Sequence, residues 1–247
     1  MKRYLPKSSN STAIDDKTLK HIVHAMLTDS ESSIAEVQSE LLKLPKDSFG
    51  DLTYIPSMIP RLQEQYDKTD PGILIALLTM NFLTLPPSSA IYIPADGVHA
   101  YLSGSIIECM ARSNNVLNTG FCPAADRNSA DLFTNTMIYD PHAPQDCMLP
   151  NEKWDKSGSG KSKVFRPPLS EFAVAWTVLE GSDGGKEKVQ SVGGPSVLIV
   201  TEGKGSMQAD GKKHELGKGY IFFVGQGVEV EFEASEGKLE VYRAFVE

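Results

Sequence analysis

The spacing of apolar residues changes at Pro86-Pro87, and this change limits the folds open to the chain. Before the prolines, apolar residues recur at helical spacing, as at Leu19, Ile22 and Val23. After them the period falls to two, as from Val228 to Glu233, where apolar and acidic residues alternate. A helical period followed by a strand period predicts an α+β fold, with a helical bundle followed by antiparallel β structure.

The first part of the chain carries start and stop signals for four amphipathic helices. A carboxylate or hydroxyl before an apolar run caps a helix, and proline is favoured in its first turn. The predicted helices are one capped by Asp15 or Asp16, one after Asp29-Ser30 that stops at Pro45, one from Met58 to Tyr66 that begins near Pro60, and one started by Asp70 and Pro71.

The second part is typical of short strands joined by glycine-containing turns, which predicts a sandwich or a barrel, of which the jelly roll is one form. The expected features are a strand at Ile91-Tyr92-Ile93, two strands within Tyr101 to Ala111, a half-buried strand in which Phe172, Val174, Trp176 and Val178 alternate with smaller residues, a strand buried on both sides from Val197 to Val200, a hairpin turn at Asp210-Gly211, and a last strand from Leu239 to Val246.

A polar stretch from Asn151 to Lys163 has the composition of a flexible linker. It contains Gly-Lys-Ser, but Asp155 stands where a phosphate-binding loop needs its first glycine, and no apolar strand precedes it. We therefore expect a helical domain at 1–86, a β segment with the linker at 87–163, and a second β domain at 164–247.

Charge and composition exclude several classes of protein. The 247 residues carry a formal net charge of −8, which argues against a nucleic-acid partner. The longest apolar stretch, Gly72 to Leu83, includes Thr79 and Asn81 and is too short to span a bilayer, so no membrane partner is expected. Three cysteines without a Cys-x-x-Cys pair disfavour a disulfide scaffold or a cysteine-only zinc site. With no apolar signal segment at the start, these features predict a soluble intracellular protein.

His99 is the histidine most suited to a functional site, because it follows a proline-and-glycine bend after a predicted strand. Tyr101 and Glu108 come soon after it on the same stretch. A neutral imidazole is the commonest metal ligand, but zinc takes three or four protein ligands and one histidine is not a site. From the residues alone, a metal ligand and a hydrogen-bonded structural histidine both remain open.

The stretch from Ile91 to Phe121, hereafter the signature segment, resembles the type I phosphomannose isomerases, which are zinc enzymes that interconvert mannose 6-phosphate and fructose 6-phosphate. The resemblance implies a helical insertion at 16 to 83 and cupin, or jelly-roll-like, β domains, the last of them around Gly194 to Gly203. The matching residues are Tyr92 to Ala95, His99 to Tyr101, Ser103-Gly104, Ile107 to Ala111, Ser113 and Asn115-Val116.

The resemblance also implies roles for particular residues. His99 matches the family's last zinc ligand, and Tyr101 and Glu108 match residues that line its active-site cleft. The family's other ligands, a Gln, a His and a Glu, belong to a segment that precedes the helical insertion, together with the strands that complete the first cupin barrel. The resemblance therefore implies zinc as the cofactor. Because we expect those other ligands to have no counterpart in this sequence, whether this chain binds zinc is open.

Two positions depart from the family pattern. Asn118 stands where the family has an arginine held to be catalytic, and Ala124 stands where it has a lysine. An asparagine cannot supply the charge that stabilises an enediolate or a phosphate. Arg112 and Arg127 are near in sequence and could compensate, but surface placement is expected for both.

These observations favour a mannose-6-phosphate isomerase-like protein with impaired catalysis and a sugar phosphate or other small molecule as its ligand. The alternatives are a non-catalytic or repurposed cupin-like protein that acts on a different small molecule, and a fragment of a longer isomerase. Because the strand at Ile91-Tyr92-Ile93 would lack its family pairing partners, we also expect a homodimer through an exposed strand edge. The resemblance implies a cytoplasmic setting in GDP-mannose biosynthesis.

Overall fold

The computed structural model describes residues 15–113, 116–183 and 185–247. Its contacts divide the chain into a helical unit and a β unit. The helical unit comprises Met1–Thr84, Ile93–Ser103 and Asn114–Cys147, and the β unit comprises Leu85–Tyr92, Gly104–Ser113 and Met148–Glu247. Residues 1–14 of the expected helical domain and Asn115 of the signature segment lie outside the described residues. The three-part division at 86 and 163 stays a prediction.

The four predicted helices are confirmed, and a fifth is added. Asp15 caps the first, since its carboxylate accepts from the Thr18 N–H at 2.8 Å. The third helix begins at Ile55 rather than near Pro60, which lies inside it. The helices are α1 (Asp16–Thr28), α2 (Glu31–Lys43), α3 (Ile55–Gln65), α4 (Pro71–Thr79) and α5 (Ala130–Thr136).

Helix α4 links two apolar clusters and is therefore buried over most of its surface. Its Leu74 packs in a cluster with Ile22 and Met26 of α1, while its Ile73 packs in a second cluster with Ile59 of α3. All five side chains are fully buried. This explains why α4 is apolar around its whole circumference, whereas α1 carries a polar outer face.

Ten antiparallel strands make up the described β structure, in a two-stranded and an eight-stranded sheet. In the larger sheet the order is β3-β4-β5-β10-β7-β8, with β6 also paired to β10 and β9 to β7. The strands are β1 (Ala90–Ile91), β2 (Met148–Leu149), β3 (Asn151–Lys153), β4 (Ser162–Phe165), β5 (Ala173–Glu180), β6 (Lys186–Val189), β7 (Ser196–Ala209), β8 (Lys212–Gly217), β9 (Ile221–Val224) and β10 (Val230–Phe245).

The predicted hairpin at Asp210-Gly211 is confirmed between β7 and β8. Both residues have positive φ, 48° and 70°, as a two-residue type I′ turn requires. The predicted alternation on β10 is also confirmed, with Val230 and Phe232 buried in the core of the β unit. The expected last strand is the second half of this same long strand.

Two predicted strands have a different burial phase from the one expected. On β5 the fully buried residues are Ala173, Ala175 and Leu179, while the larger Val174 and Trp176 lie on the half-buried face. Val197 on β7 is 49% exposed, so this strand is buried on one side rather than on both. A run of apolar residues therefore did not indicate two covered faces here, because an exposed sheet face also tolerates apolar side chains.

The prediction of strands within the signature segment was largely wrong. Of the described residues in this segment, only Ile91, the end of β1, lies in a strand, and residues 101–111 contain none. Ile91 pairs with Met148, so this strand has a partner that the sequence did not reveal. Strand formation needs a pairing neighbour as well as a local pattern, and that neighbour is remote in sequence.

The linker expected from Asn151 to Lys163 is instead part of the larger sheet. It contributes β3 and the start of β4, and the turn between them contacts Glu187 on β6. Ser157 and Ser159 order this turn, because their hydroxyls and the Ser159 N–H bind the buried Glu187 carboxylate. Among the described residues, none of the helices is long and apolar enough to cross a membrane.

Candidate functional site

His99 is held in one orientation by its neighbours in the helical unit. Its Nδ1 lies 2.9 Å from the carbonyl oxygen of Gly97, which can only accept a hydrogen bond. In the neutral ring Nδ1 therefore carries the hydrogen, and the lone pair is on Nε2. The ring of Tyr101 meets the imidazole edge-on, at 5.6 Å between centroids and 64° between planes. An exposed imidazole set in this way presents Nε2 as an acceptor or a metal ligand.

The residues after His99 are anchored to α3. Leu102 packs against the α3 cluster, while Tyr101 and Ser103 beside it are exposed. Nη2 of Arg61 on α3 donates to the Ser103 Oγ at 2.5 Å. The short stretch that carries His99 and Tyr101 thus contacts a cation of α3 through Ser103, a contact that the sequence pattern did not indicate.

Asn118 is fixed through its backbone and is itself exposed. Its N–H donates to Oδ1 of Asn128 at 2.8 Å, and its carbonyl accepts from the Asn128 N–H at 2.6 Å. Two residues on, Gly120 packs directly on Gly72 of α4, where an added Cβ would lie 2.5 Å from the Gly72 Cα. The segment with Asn118 is therefore positioned by its backbone.

Asp70 connects the segment that follows Asn118 to α4 by hydrogen bonds. From the sequence it was expected only to cap the helix. One carboxylate oxygen accepts from the Gly72 N–H at 2.7 Å. The other accepts from the Phe121 N–H at 2.9 Å and from Nη2 of Arg127 at 3.1 Å. The surface placement expected for Arg127 is wrong, since its side chain is only 22% exposed and pairs with Asp70. It does not offer a spare cation to replace the family's arginine, and Arg112 is exposed as expected.

Glu108 lies in the β unit, on an exposed stretch without regular structure. Its neighbour Cys109 is half-buried, and burial raises the pKa of that thiol. Each of the four predicted site residues is exposed, and the described contacts join His99 to Tyr101.

A metal centre is not complete within the described ranges, where no group of three or more His, Cys, Asp or Glu side chains could hold an ion. On α1, Nε2 of His24 lies 2.8 Å from Oδ1 of Asp131. Zinc needs at least three protein ligands, so the described residues do not fit a full zinc site. His99 fits the part of a single ligand.

Sequence comparison identifies relatives of this chain. The family model for the phosphomannose isomerase type I C-terminal region matches residues 162–212. The chain is 35% identical to the mannose-6-phosphate isomerase of Saccharomyces cerevisiae, over 98% of its own length and 56% of that protein. It is 34% identical to the enzyme of the same name from Cryptococcus neoformans, over 99% of its length and 55% of that protein. The chain thus spans about half the length of the curated relatives it matches.

Solved structures share the fold. Mannose 6-phosphate isomerase from Salmonella typhimurium, bound to fructose 6-phosphate and zinc, superposes with a TM-score of 0.71 at 17% identity. The match covers 94% of this chain and 55% of that one. A zinc-bound form of mannose 6-phosphate isomerase gives a TM-score of 0.71 at 18% identity. The expected α+β, cupin-like architecture is confirmed by these neighbours.

Proposed function

This chain belongs to the type I phosphomannose isomerase family, and from that membership we propose that it acts as a mannose-6-phosphate isomerase. Such an enzyme interconverts mannose 6-phosphate and fructose 6-phosphate by moving a proton between C1 and C2. The proposal depends on one observation above all, the imidazole of His99, which Gly97 and Tyr101 hold with Nε2 as its available acceptor.

We assign His99 as one ligand of a zinc ion in this function. Zinc, when bound, supplies a Lewis acid that polarises a sugar oxygen. The hydrogen bond from Nδ1 to Gly97 gives His99 the outer partner that metal-bound histidines ordinarily have. The described residues supply this one ligand and no complete coordination set.

The remaining proposed site residues are Tyr101, Glu108 and Asn118. A carboxylate and a phenol are groups that can accept or donate a proton during enolisation, which suits Glu108 and Tyr101 to the cleft that the resemblance assigns them. Asn118 offers hydrogen-bond donors without a charge, so stabilisation of a developing oxyanion is weaker than with arginine. We therefore expect slow turnover.

The test is isomerisation of mannose 6-phosphate by the purified 247-residue chain with zinc supplied, following fructose 6-phosphate formation and bound zinc together. We expect His99→Ala to abolish turnover and to lower the zinc content. His142→Ala is the matched control, because His142 is also an exposed histidine whose Nδ1 lies near a backbone carbonyl oxygen, that of Ala143 at 3.0 Å. It should leave both readouts unchanged.

A folded chain without turnover would overturn the isomerase proposal. If that chain still bound fructose 6-phosphate, a non-catalytic sugar-phosphate-binding protein would take its place. Equal loss in His99→Ala and His142→Ala would remove the special role of His99.

We further propose a cytoplasmic setting and a homodimer through an exposed strand edge. Strands β1 and β2 form a two-stranded sheet, so within the described residues each has one edge that no strand pairs. Sedimentation of a monomer at micromolar concentration would overturn the dimer.

A further inference from the structure

Arg61 is a cation on α3 that contacts a thioether and a hydroxyl. Its Nη1 meets Sδ of Met58 at 4.0 Å and its Nη2 donates to Oγ of Ser103 at 2.5 Å. In the described part of the chain it makes no ion pair with a carboxylate, unlike Arg127 with Asp70 or Arg166 with Glu247. In a protein with net charge −8, a half-buried arginine in this state is the type of group that binds an anion.

The hydroxyl of Ser103 is set up for the same ligand. Because its oxygen accepts from Arg61, its own hydrogen is left to donate to a further acceptor. The guanidinium keeps other N–H donors, since a planar fork has five of them and its contacts with Met58 and Ser103 use two. Arginine and serine thus place a charged donor group and a hydroxyl donor side by side, the groups that phosphate recognition uses.

Ser103 lies so near His99 along the chain that one sugar phosphate can reach both residues. Ser103 is four residues beyond His99, and four residues span at most about 14 Å even when fully extended. The phosphate of a hexose 6-phosphate lies at the far end of its carbon chain from C1 and C2, so an extended molecule with its hydrogen bonds is of similar length. The ring of Tyr101 lies between the two ends in sequence and offers a flat surface to a sugar.

We propose that Arg61 and Ser103 form a phosphate-binding subsite that holds the phosphate of a sugar phosphate while its carbonyl end lies at His99. This inference rests on the proposed function and extends it with a substrate-binding residue in α3. It also supplies a cation to the stretch that follows His99, whereas Arg127 is committed to Asp70.

The experiment measures binding of fructose 6-phosphate, inorganic phosphate and unphosphorylated fructose to the full chain by titration calorimetry. We expect Arg61→Met to weaken fructose 6-phosphate binding about tenfold to a hundredfold, the usual range for losing a charge-assisted contact. Arg61→Lys should recover part of the affinity, and Ser103→Ala should lose less than Arg61→Met. Fructose binding should not change. Arg112→Met is the matched control, because Arg112 is an exposed arginine of the signature segment.

The outcomes separate the subsite from the function. The subsite would be overturned, and the isomerase proposal left standing, by either of two results. One is unchanged fructose 6-phosphate affinity in both Arg61→Met and Arg61→Lys. The other is a loss of that affinity in Arg112→Met instead. Binding of inorganic phosphate that needs Arg61, in a chain without turnover, would support the subsite and overturn the isomerase. If Arg61→Met unfolds, the comparison of Arg61→Lys with Ser103→Ala decides, and unchanged fructose 6-phosphate affinity in both would overturn the subsite.

Discussion

Asp70 and Arg127 form an ion pair, 3.1 Å between Oδ2 and Nη2, in which the carboxylate side chain is only 3% exposed. The same carboxylate accepts the N–H groups of Gly72 and Phe121. It therefore caps α4 and fixes the segment that follows Asn118 with one side chain. A buried carboxylate is tolerated because each of its oxygens is hydrogen-bonded.

Asp70→Ala should lower the free energy of unfolding by about 3–5 kcal/mol, since it leaves Arg127 half-buried without its carboxylate and two N–H groups without their acceptor. Arg127→Ala should cost less, because the two backbone N–H groups still compensate Asp70. Urea unfolding of both variants measures the difference. Asp131→Ala, at an exposed carboxylate paired with His24, is the control and should cost under about 1 kcal/mol. Equal losses in Asp70→Ala and Asp131→Ala would refute the burial argument.

The sequence predicted features that depend on nearby residues. Asp70 was identified as a helix cap, and the first cap was narrowed to Asp15 or Asp16, because a cap acts within three residues of itself. Asp210-Gly211 was identified because a type I′ turn needs two residues that tolerate positive φ.

The features that sequence reasoning missed are contacts between distant residues. The partners Asp70 and Arg127 are 57 positions apart, and Arg61 and Ser103 are 42 apart. Arg61 and Arg127 are charged residues for which the sequence pattern indicates a surface position, so it did not indicate either contact. The signature segment shows the opposite error, since two strands were predicted within Tyr101 to Ala111, where no strand forms and Ile106 and Met110 are 53% and 72% exposed. The family motif located His99, while the contacts around it came from the fold.

Glu187 should be necessary for order in the turn between β3 and β4. This 1% exposed carboxylate accepts from Oγ of Ser157 at 2.5 Å, from Oγ and N–H of Ser159, and from the Lys161 N–H at 3.4 Å. Glu187→Ala should therefore cost about 3 kcal/mol and increase hydrogen exchange at residues 157–162. Glu215→Ala, at an exposed position on β8, is the control. Unchanged exchange in Glu187→Ala would show that the turn is ordered without the carboxylate.

Gly203 and Gly211 share positive φ but differ in the space around them. At Gly203, φ is 82° and an added Cβ would collide with the carbonyl oxygen of Lys238 on β10. At Gly211, φ is 70° and nothing lies within 4 Å of the added atom. Gly211→Ala should cost about 1–2 kcal/mol, the backbone strain alone. Gly203→Ala adds a clash with rigid backbone and should cost more than about 3 kcal/mol, measured by thermal unfolding. Equal costs would mean that β10 moves aside freely.

Tyr242 on β10 should make the stability of the β unit sensitive to alkaline pH. Burial, and then the charge of Glu240, raise the pKa of Tyr242 to about 12 from 10.0. The folded protein holds the Tyr242 proton more tightly than the unfolded chain does. The resulting contribution to the free energy of unfolding is therefore complete below pH 10 and is lost as pH rises through 12. Tyr242→Phe cannot ionise, so its urea midpoint should fall less than that of the wild type between pH 9 and 12. Tyr220→Phe, at a side chain that is 54% exposed, should follow the wild-type profile. The same profile in all three proteins would exclude Tyr242 as a source of the alkaline loss.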